Sequence, residues 1–73
     1  MYPRLKDLRE DKEKKQQDIA EILQTTQQYY SDYEKGKRPI PTEKVIKLAY
    51  FYNTSTDYIL GLTNETKPYP RIK

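Results

Sequence analysis

The stretch TTQQYYSDYE, Thr25 to Glu34, holds the side chains in this sequence best suited to chemical recognition. The amides of Gln27 and Gln28 each place a donor beside an acceptor, Thr26 and Ser31 add hydroxyls, and Asp32 adds a carboxylate that, when ionised, only accepts. What is missing narrows the chemistry further. The 73-residue chain contains no His and no Cys, which removes the common zinc sites, cysteine nucleophiles and histidine acid–base pairs together. Acids are plentiful, but no Gly-rich phosphate loop accompanies them. Recognition by hydrogen bonding is expected, with no catalysis, no metal and no cofactor.

The elements that must position these groups follow from periodicity. At about 100° per residue, Tyr30, Tyr33 and Glu34 share one side of a helix, while Gln28, Ser31, Asp32 and Lys35 share the other. The first side is expected to pack inward, with Tyr29 at its margin, and the second to face outward. Thr26 is a good N-cap for this helix, and Gly36 a natural stop. Upstream, Pro3 suits the first turn of a helix reaching about Lys12, with Leu5 and Leu8 inward. A second helix runs from about Gln16 to Leu23 and buries Ile19, Ala20 and Leu23. Downstream, KGKRPIP reads as a loop from which Ile40 packs back. A fourth helix from Pro41 or Thr42 to Asn53 buries Val45, Leu48, Ala49 and Tyr52. A short fifth, capped by Thr54 or Ser55 and stopped by Gly61, turns Tyr58 and Ile59 inward. The class is all-α with five helices over residues 1–62, followed by a flexible, basic, Pro-containing tail over 63–73.

Composition bounds what such a domain does. Only 34% of residues are hydrophobic, and eight are Tyr, so tyrosine rings must supply much of the core. The net charge is +3, but three bases and one acid fall in TNETKPYPRIK, leaving 11 bases against 10 acids elsewhere. A nucleic-acid partner therefore has to be argued from where the bases sit. No apolar run approaches a membrane span, and MYPRLKDLRED has no secretory core. No membrane association is expected, and a cytoplasmic location is.

Two short helices joined by a three-residue turn, with small Ala20 permitting a close crossing, form a helix-turn-helix. That geometry holds the second helix of the pair away from the body, so that its N-terminal residues can reach base edges in a major groove. QQDIAEILQTTQQYYSDYEKGKR resembles the helix-turn-helix of the phage-repressor (Cro/C1, or Xre-type) family of bacterial and phage regulators. RLKDLRED, PTEKVIKLAYFYNTSTDYILG and the five-helix count extend the resemblance over roughly residues 3 to 62, and imply a lambda-repressor-like domain.

The resemblance implies a sequence-specific transcriptional regulator of double-stranded DNA, repressor-like in kind. TTQQ is similar to the start of a lambdoid phage repressor's recognition helix, which implies Gln27 and Gln28 as base readers. A Gln amide can pair bidentately with adenine N6 and N7, or bond singly to guanine. Ser31 and Asp32 on the same face are further base-edge candidates, Asp32 as an acceptor from cytosine N4. Gln16, Thr26, Lys35, Lys37 and Arg38 are expected on phosphates. Arg9 and Glu34 correspond to the family's buried interhelical salt bridge. Tyr58, Leu60 and Leu62 fall where the family dimerises, so a homodimer on DNA is expected. An antitoxin-like protein-interaction module, with a protein partner and weak DNA binding, is the alternative reading.

The sequence departs from the family at three places. Glu13, Lys14 and Lys15 stand where a stop residue, an apolar residue and a Ser or Thr cap are usual, so the first helix should run on or its turn loosen. Gln24 replaces the turn glycine, and at positive φ carries strain of about 1 kcal/mol. Asp32 replaces a common basic residue and should repel phosphate.

Overall fold

In the computed structural model, residues 3–70 are described; Met1, Tyr2 and, from the expected tail, Arg71, Ile72 and Lys73 lie outside them. Among the described residues all regular structure is helical: α1 (Pro3–Asp11), α2 (Gln16–Ile22), α3 (Gln27–Lys35), α4 (Thr42–Phe51) and α5 (Thr56–Leu60). Helix α3 packs on α2 and α1, and α5 on α4 and α1. The core between them contains Leu5, Ile19, Ala20, Leu23, Tyr30, Tyr33, Ile40, Val45, Leu48, Ala49, Tyr52 and Ile59. Tyr30 and Tyr33 meet edge to face, ring centroids 6.5 Å apart, an arrangement that aromatic quadrupoles favour. Of the tyrosines expected to supply buried area, Tyr30, Tyr33 and Tyr52 do so, whereas Tyr29, Tyr50 and Tyr69 are exposed.

All five helices end in one way. After each, a residue in the left-handed region lets its own N–H and that of the next residue bond back to carbonyls of the last turn: Glu13, Gln24, Gly36, Asn53 and Gly61 take φ values of 55°, 56°, 76°, 54° and 81°. This is the Schellman closure, for which glycine is the unstrained choice. At Glu13 and Gln24 the chain accepts the strain instead. The expectation that α1 runs on or that its turn is loose is therefore corrected. Lys14 N donates to Arg9 O at 3.1 Å, Arg9 Nη1 donates to Lys14 O at 3.0 Å, and Asp18 Oδ2 accepts from Lys15 N at 2.9 Å. The last bond is the reciprocal half of a capping box, and replaces the missing Ser or Thr cap at the start of α2.

Thr26 Oγ1 caps α3 by accepting from Tyr29 N at 3.1 Å, and Ser55, rather than Thr54, caps α5 by accepting from Tyr58 N at 3.0 Å. Lys44 Nζ reaches from α4 to Leu23 O at 2.9 Å, tying the turn before α3 to the body.

The segment after Leu62 carries no regular structure but makes polar contacts with the body through residue 70. Thr54 Oγ1 donates to Thr66 O at 2.7 Å, and Tyr69 Oη donates to Asp57 Oδ2 at 2.9 Å. Arg4 clamps α1 to this end of the fold: its Nη1 donates to Tyr58 O at 2.9 Å and to Thr63 O, its Nη2 to Asn64 Oδ1 at 2.6 Å, and its guanidinium lies 4.1 Å from the Tyr58 ring centroid. Periodicity marks helices but is blind to an irregular segment held by polar anchors, which is why the sequence reading left these residues without partners.

Candidate nucleic-acid interface

The site is one end and one side of α3, and it depends on how firmly the other side is held. On the rear, Tyr30 is fully buried and Tyr33 nearly so. Beside them Arg9 Nε donates to Glu34 Oε2 at 2.7 Å and Arg9 Nη2 to Glu34 Oε1 at 3.2 Å, a two-pronged pair with side-chain exposures of 12% and 5%. Gln16 Nε2 adds a third bond to Glu34 Oε1, at 3.1 Å. Burial disfavours the charge on Glu34, but the bonds from Arg9 and Gln16, with the polar Tyr30 hydroxyl nearby, outweigh it, and the carboxyl sits below the usual carboxylate range. The same pairing raises Arg9 above its ordinary value.

Burial pushes the Tyr30 and Tyr52 phenols well above theirs, with the charge of Glu34 adding to the shift. The Tyr30 hydroxyl is near enough to Glu34 to affect its ionisation, yet among the described residues neither it nor the Tyr52 hydroxyl has a partner in hydrogen-bond geometry.

On the front, Thr26, Gln27, Gln28 and Tyr29 are exposed at the N-terminus of α3, and Lys35, Lys37 and Arg38 are exposed where the chain leaves it. These groups form a surface networked within itself. Gln28 Nε2 donates to Asp32 Oδ1 at 3.1 Å, Arg38 Nε lies 4.0 Å from Asp32 Oδ2, and the Arg38 guanidinium stacks 4.1 Å from the Tyr29 ring centroid. The Gln28 to Asp32 bond joins residues four apart, a spacing readable in the sequence. The Tyr29 to Arg38 stack joins a helix to a loop and is not.

Three expectations need amendment. Ser31, placed on the outward side, is buried, with 9% exposure. It lies about 100° round from Tyr30, at the margin of the packed face, where a short side chain is shielded and a long one would escape. Asp32 is half-buried and turned toward Gln28 and Arg38 rather than straight outward. Gln16 commits one amide hydrogen to Glu34, leaving its second for any phosphate. At the other end of the molecule Tyr58 is half-buried under Arg4, whereas Leu60 and Leu62 are exposed at 37% and 73%. Among the described residues no acidic cluster could hold a metal ion, and no helix is long and apolar enough to cross a membrane.

Comparison with known proteins agrees with this architecture. The family described as Helix-turn-helix matches residues 5–59, from the first turn of α1 into α5. Two curated relatives come from Bacillus subtilis (strain 168). An uncharacterized HTH-type transcriptional regulator, YobD, is 35% identical over 65 residues, covering 89% of this chain and 58% of its own. The HTH-type transcriptional regulator ImmR is 38% identical over 64 residues, covering 88% of this chain and 50% of its own. The chain thus spans about half the length of the curated relatives it matches. No solved structure gives a significant match. With its five helices, its α2–α3 crossing and a family match over most of its length, the chain belongs to the Cro/C1-type helix-turn-helix family.

Proposed function

We propose that this chain is a sequence-specific DNA-binding transcriptional regulator that lays α3 in the major groove of an operator. The observation that carries the reading is the two-sidedness of α3: Gln27 and Gln28 are exposed at its tip, while Tyr30, Tyr33 and the Arg9–Glu34 pair hold it from behind. A helix held this way presents amides to base edges at little entropic cost, because the rod that carries them is already ordered. Gln27 and Gln28 read bases, while Thr26, Lys35, Lys37 and Arg38 approach phosphates, joined by Gln16 through its remaining amide hydrogen. Both relatives are named as HTH-type transcriptional regulators, which supports the reading.

One such unit reads few base pairs, so specificity calls for a two-fold dimer with recognition helices about 34 Å apart. The exposure of Leu60 and Leu62 supports the region around Tyr58, Leu60 and Leu62 as the contact. Selection of bound sites from random duplexes, with the native chain and with Gln28→Ala, tests the proposal. Preference at one base pair should relax at a cost of about 1–3 kcal/mol; an unchanged preference would remove Gln28 from the interface.

A protein-interaction module on the same scaffold is the second reading, favoured by the exposed apolar side chains Ile46, Tyr50, Leu60 and Leu62. Salt separates the two. Operator binding should weaken steeply as salt rises, in proportion to the phosphates neutralised, whereas an apolar protein contact should barely respond.

A further inference from the structure

The bond between Gln28 and Asp32 bears on which base Gln28 prefers. An ionised carboxylate can only accept, so the group that Gln28 turns toward Asp32 must be its nitrogen, as the 3.1 Å Nε2 to Oδ1 contact has it. A primary amide carries two hydrogens on that nitrogen. If that bond uses the hydrogen trans to the carbonyl oxygen, the remaining hydrogen and Oε1 share the opposite edge of the amide, one donor beside one acceptor. Asp32 is itself steadied from the far side, where Oδ2 faces Arg38 Nε at 4.0 Å and Arg38 is stacked on Tyr29.

That edge has a definite complement. Adenine presents an acceptor at N7 and a donor at N6 in the major groove, which match the free N–H and Oε1 of Gln28 together. Guanine presents two acceptors, N7 and O6, and would need both amide hydrogens of Gln28, one of which is already bound. A negative carboxylate behind the amide also opposes an acceptor-only edge and favours one that carries a donor. In the water-excluded groove these preferences sharpen, because an unmatched polar group there has no solvent to turn to.

We infer that Asp32 is a positioning residue that makes Gln28 select adenine over guanine. It does so by fixing the amide's orientation from behind, without touching the base. The inference rests on the reading of Gln28 as a base contact, and it gives a use to an acid that simple charge matching would place anywhere but beside DNA.

The test begins with site selection by the native chain and by Gln28→Ala, which locates the base pair that Gln28 reads. The ratio of affinities for adenine and guanine at that position is then measured for the native chain, Asp32→Ala and Asp32→Asn, each checked for native helicity and melting. Asp32→Ala should lower the ratio by about five- to tenfold while raising affinity for unrelated duplex, since an acid near phosphates is gone. Asp32→Asn, whose amide can offer Gln28 either a donor or an acceptor, should fall between. Preference at the base pair assigned to Gln27 should stay as in the native chain.

If Gln28→Ala relaxes the preference but Asp32→Ala keeps the native ratio, the positioning role is overturned and Gln28 remains a reader. An Asp32→Ala chain that loses preference at every position overturns it as well, since that marks a general disturbance of α3. If Gln28→Ala changes no position, the reading of Gln28 itself fails.

Discussion

Helix α3 carries an acid on each side, and each meets an arginine from elsewhere in the chain. At the rear, Glu34 and Arg9 are 2.7 Å apart and almost sealed from solvent; at the front, Asp32 and Arg38 are 4.0 Å apart, and Arg38 is 45% exposed. The chemistry of the pairs is nearly the same and their roles are opposite. Desolvation makes the rear pair intolerant of losing a partner, so it sets where α3 lies. Water and salt leave the front pair weak as a stabiliser, so Arg38 remains free to leave Asp32 for a ligand. A surface meant to bind has to be cheap to rearrange, whereas the anchor behind it must not be.

The strongest way to break this contrast is Arg9→Ala, which strands the Glu34 carboxylate. Urea denaturation should show a loss of about 3–5 kcal/mol. A loss as small as that of an exposed pair would mean the rear is not the anchor described. The pH dependence sharpens the same point. Glu34 has a folded-state pKa below its unfolded value. Its contribution is therefore fully present above the unfolded carboxyl pKa and lost as pH falls through the lower folded one. Glu34→Gln should flatten the acid limb of a melting-temperature profile. On the alkaline side the Tyr30 and Tyr52 phenols are raised from 10.0. Their neutral-state contribution is present below that value and lost as pH climbs beyond it.

The turns that set the angle between the two sides give smaller effects. Gln24→Gly relieves a left-handed residue between α2 and α3, and should raise stability by about 0.5–1 kcal/mol. Gly61→Ala should cost a similar amount, even though a Cβ there meets nothing within 4 Å, because the penalty lies in its φ of 81°. Equal melting temperatures for both variants and the native chain would show that the turns carry no strain. Tyr52→Phe removes a buried hydroxyl without a partner, and should be neutral or stabilising by up to about 1 kcal/mol in the same assay. Smallest of all, Arg38→Ala should shift folding stability by about 0.5 kcal/mol or less while weakening duplex binding and its salt slope, if Arg38 meets a phosphate.

How much of this was legible beforehand differs from residue to residue. Pro3, Thr26, Gly36 and Gly61 announce helix ends because capping and φ preference act within one turn of chain. The inward stripe of Val45, Leu48, Ala49 and Tyr52 is legible because a helix repeats on a fixed period. Ser31 was misplaced because periodicity divides a helix into two sides, while burial at the margin depends on side-chain length and on neighbours from other elements. The ordered Glu13–Lys15 turn was missed for a related reason. Its stability comes from Arg9 and Asp18, which are close in sequence, but only the folded backbone aims them at Lys14 O and Lys15 N.

The sequence by itself determined five helices, the ends marked by Pro3, Thr26, Gly36 and Gly61, the aromatic anchoring of α3 and the exposure of two adjacent amides at its tip, because all of these follow from local propensity and a repeat of hydrophobicity. Only the tertiary structure decided that Gln16 turns to Glu34, that Arg38 stacks on Tyr29, and that residues 63–70 bind back to α5 and the loop before it. Such pairings depend on how separately formed elements cross in space, and no local pattern encodes that angle.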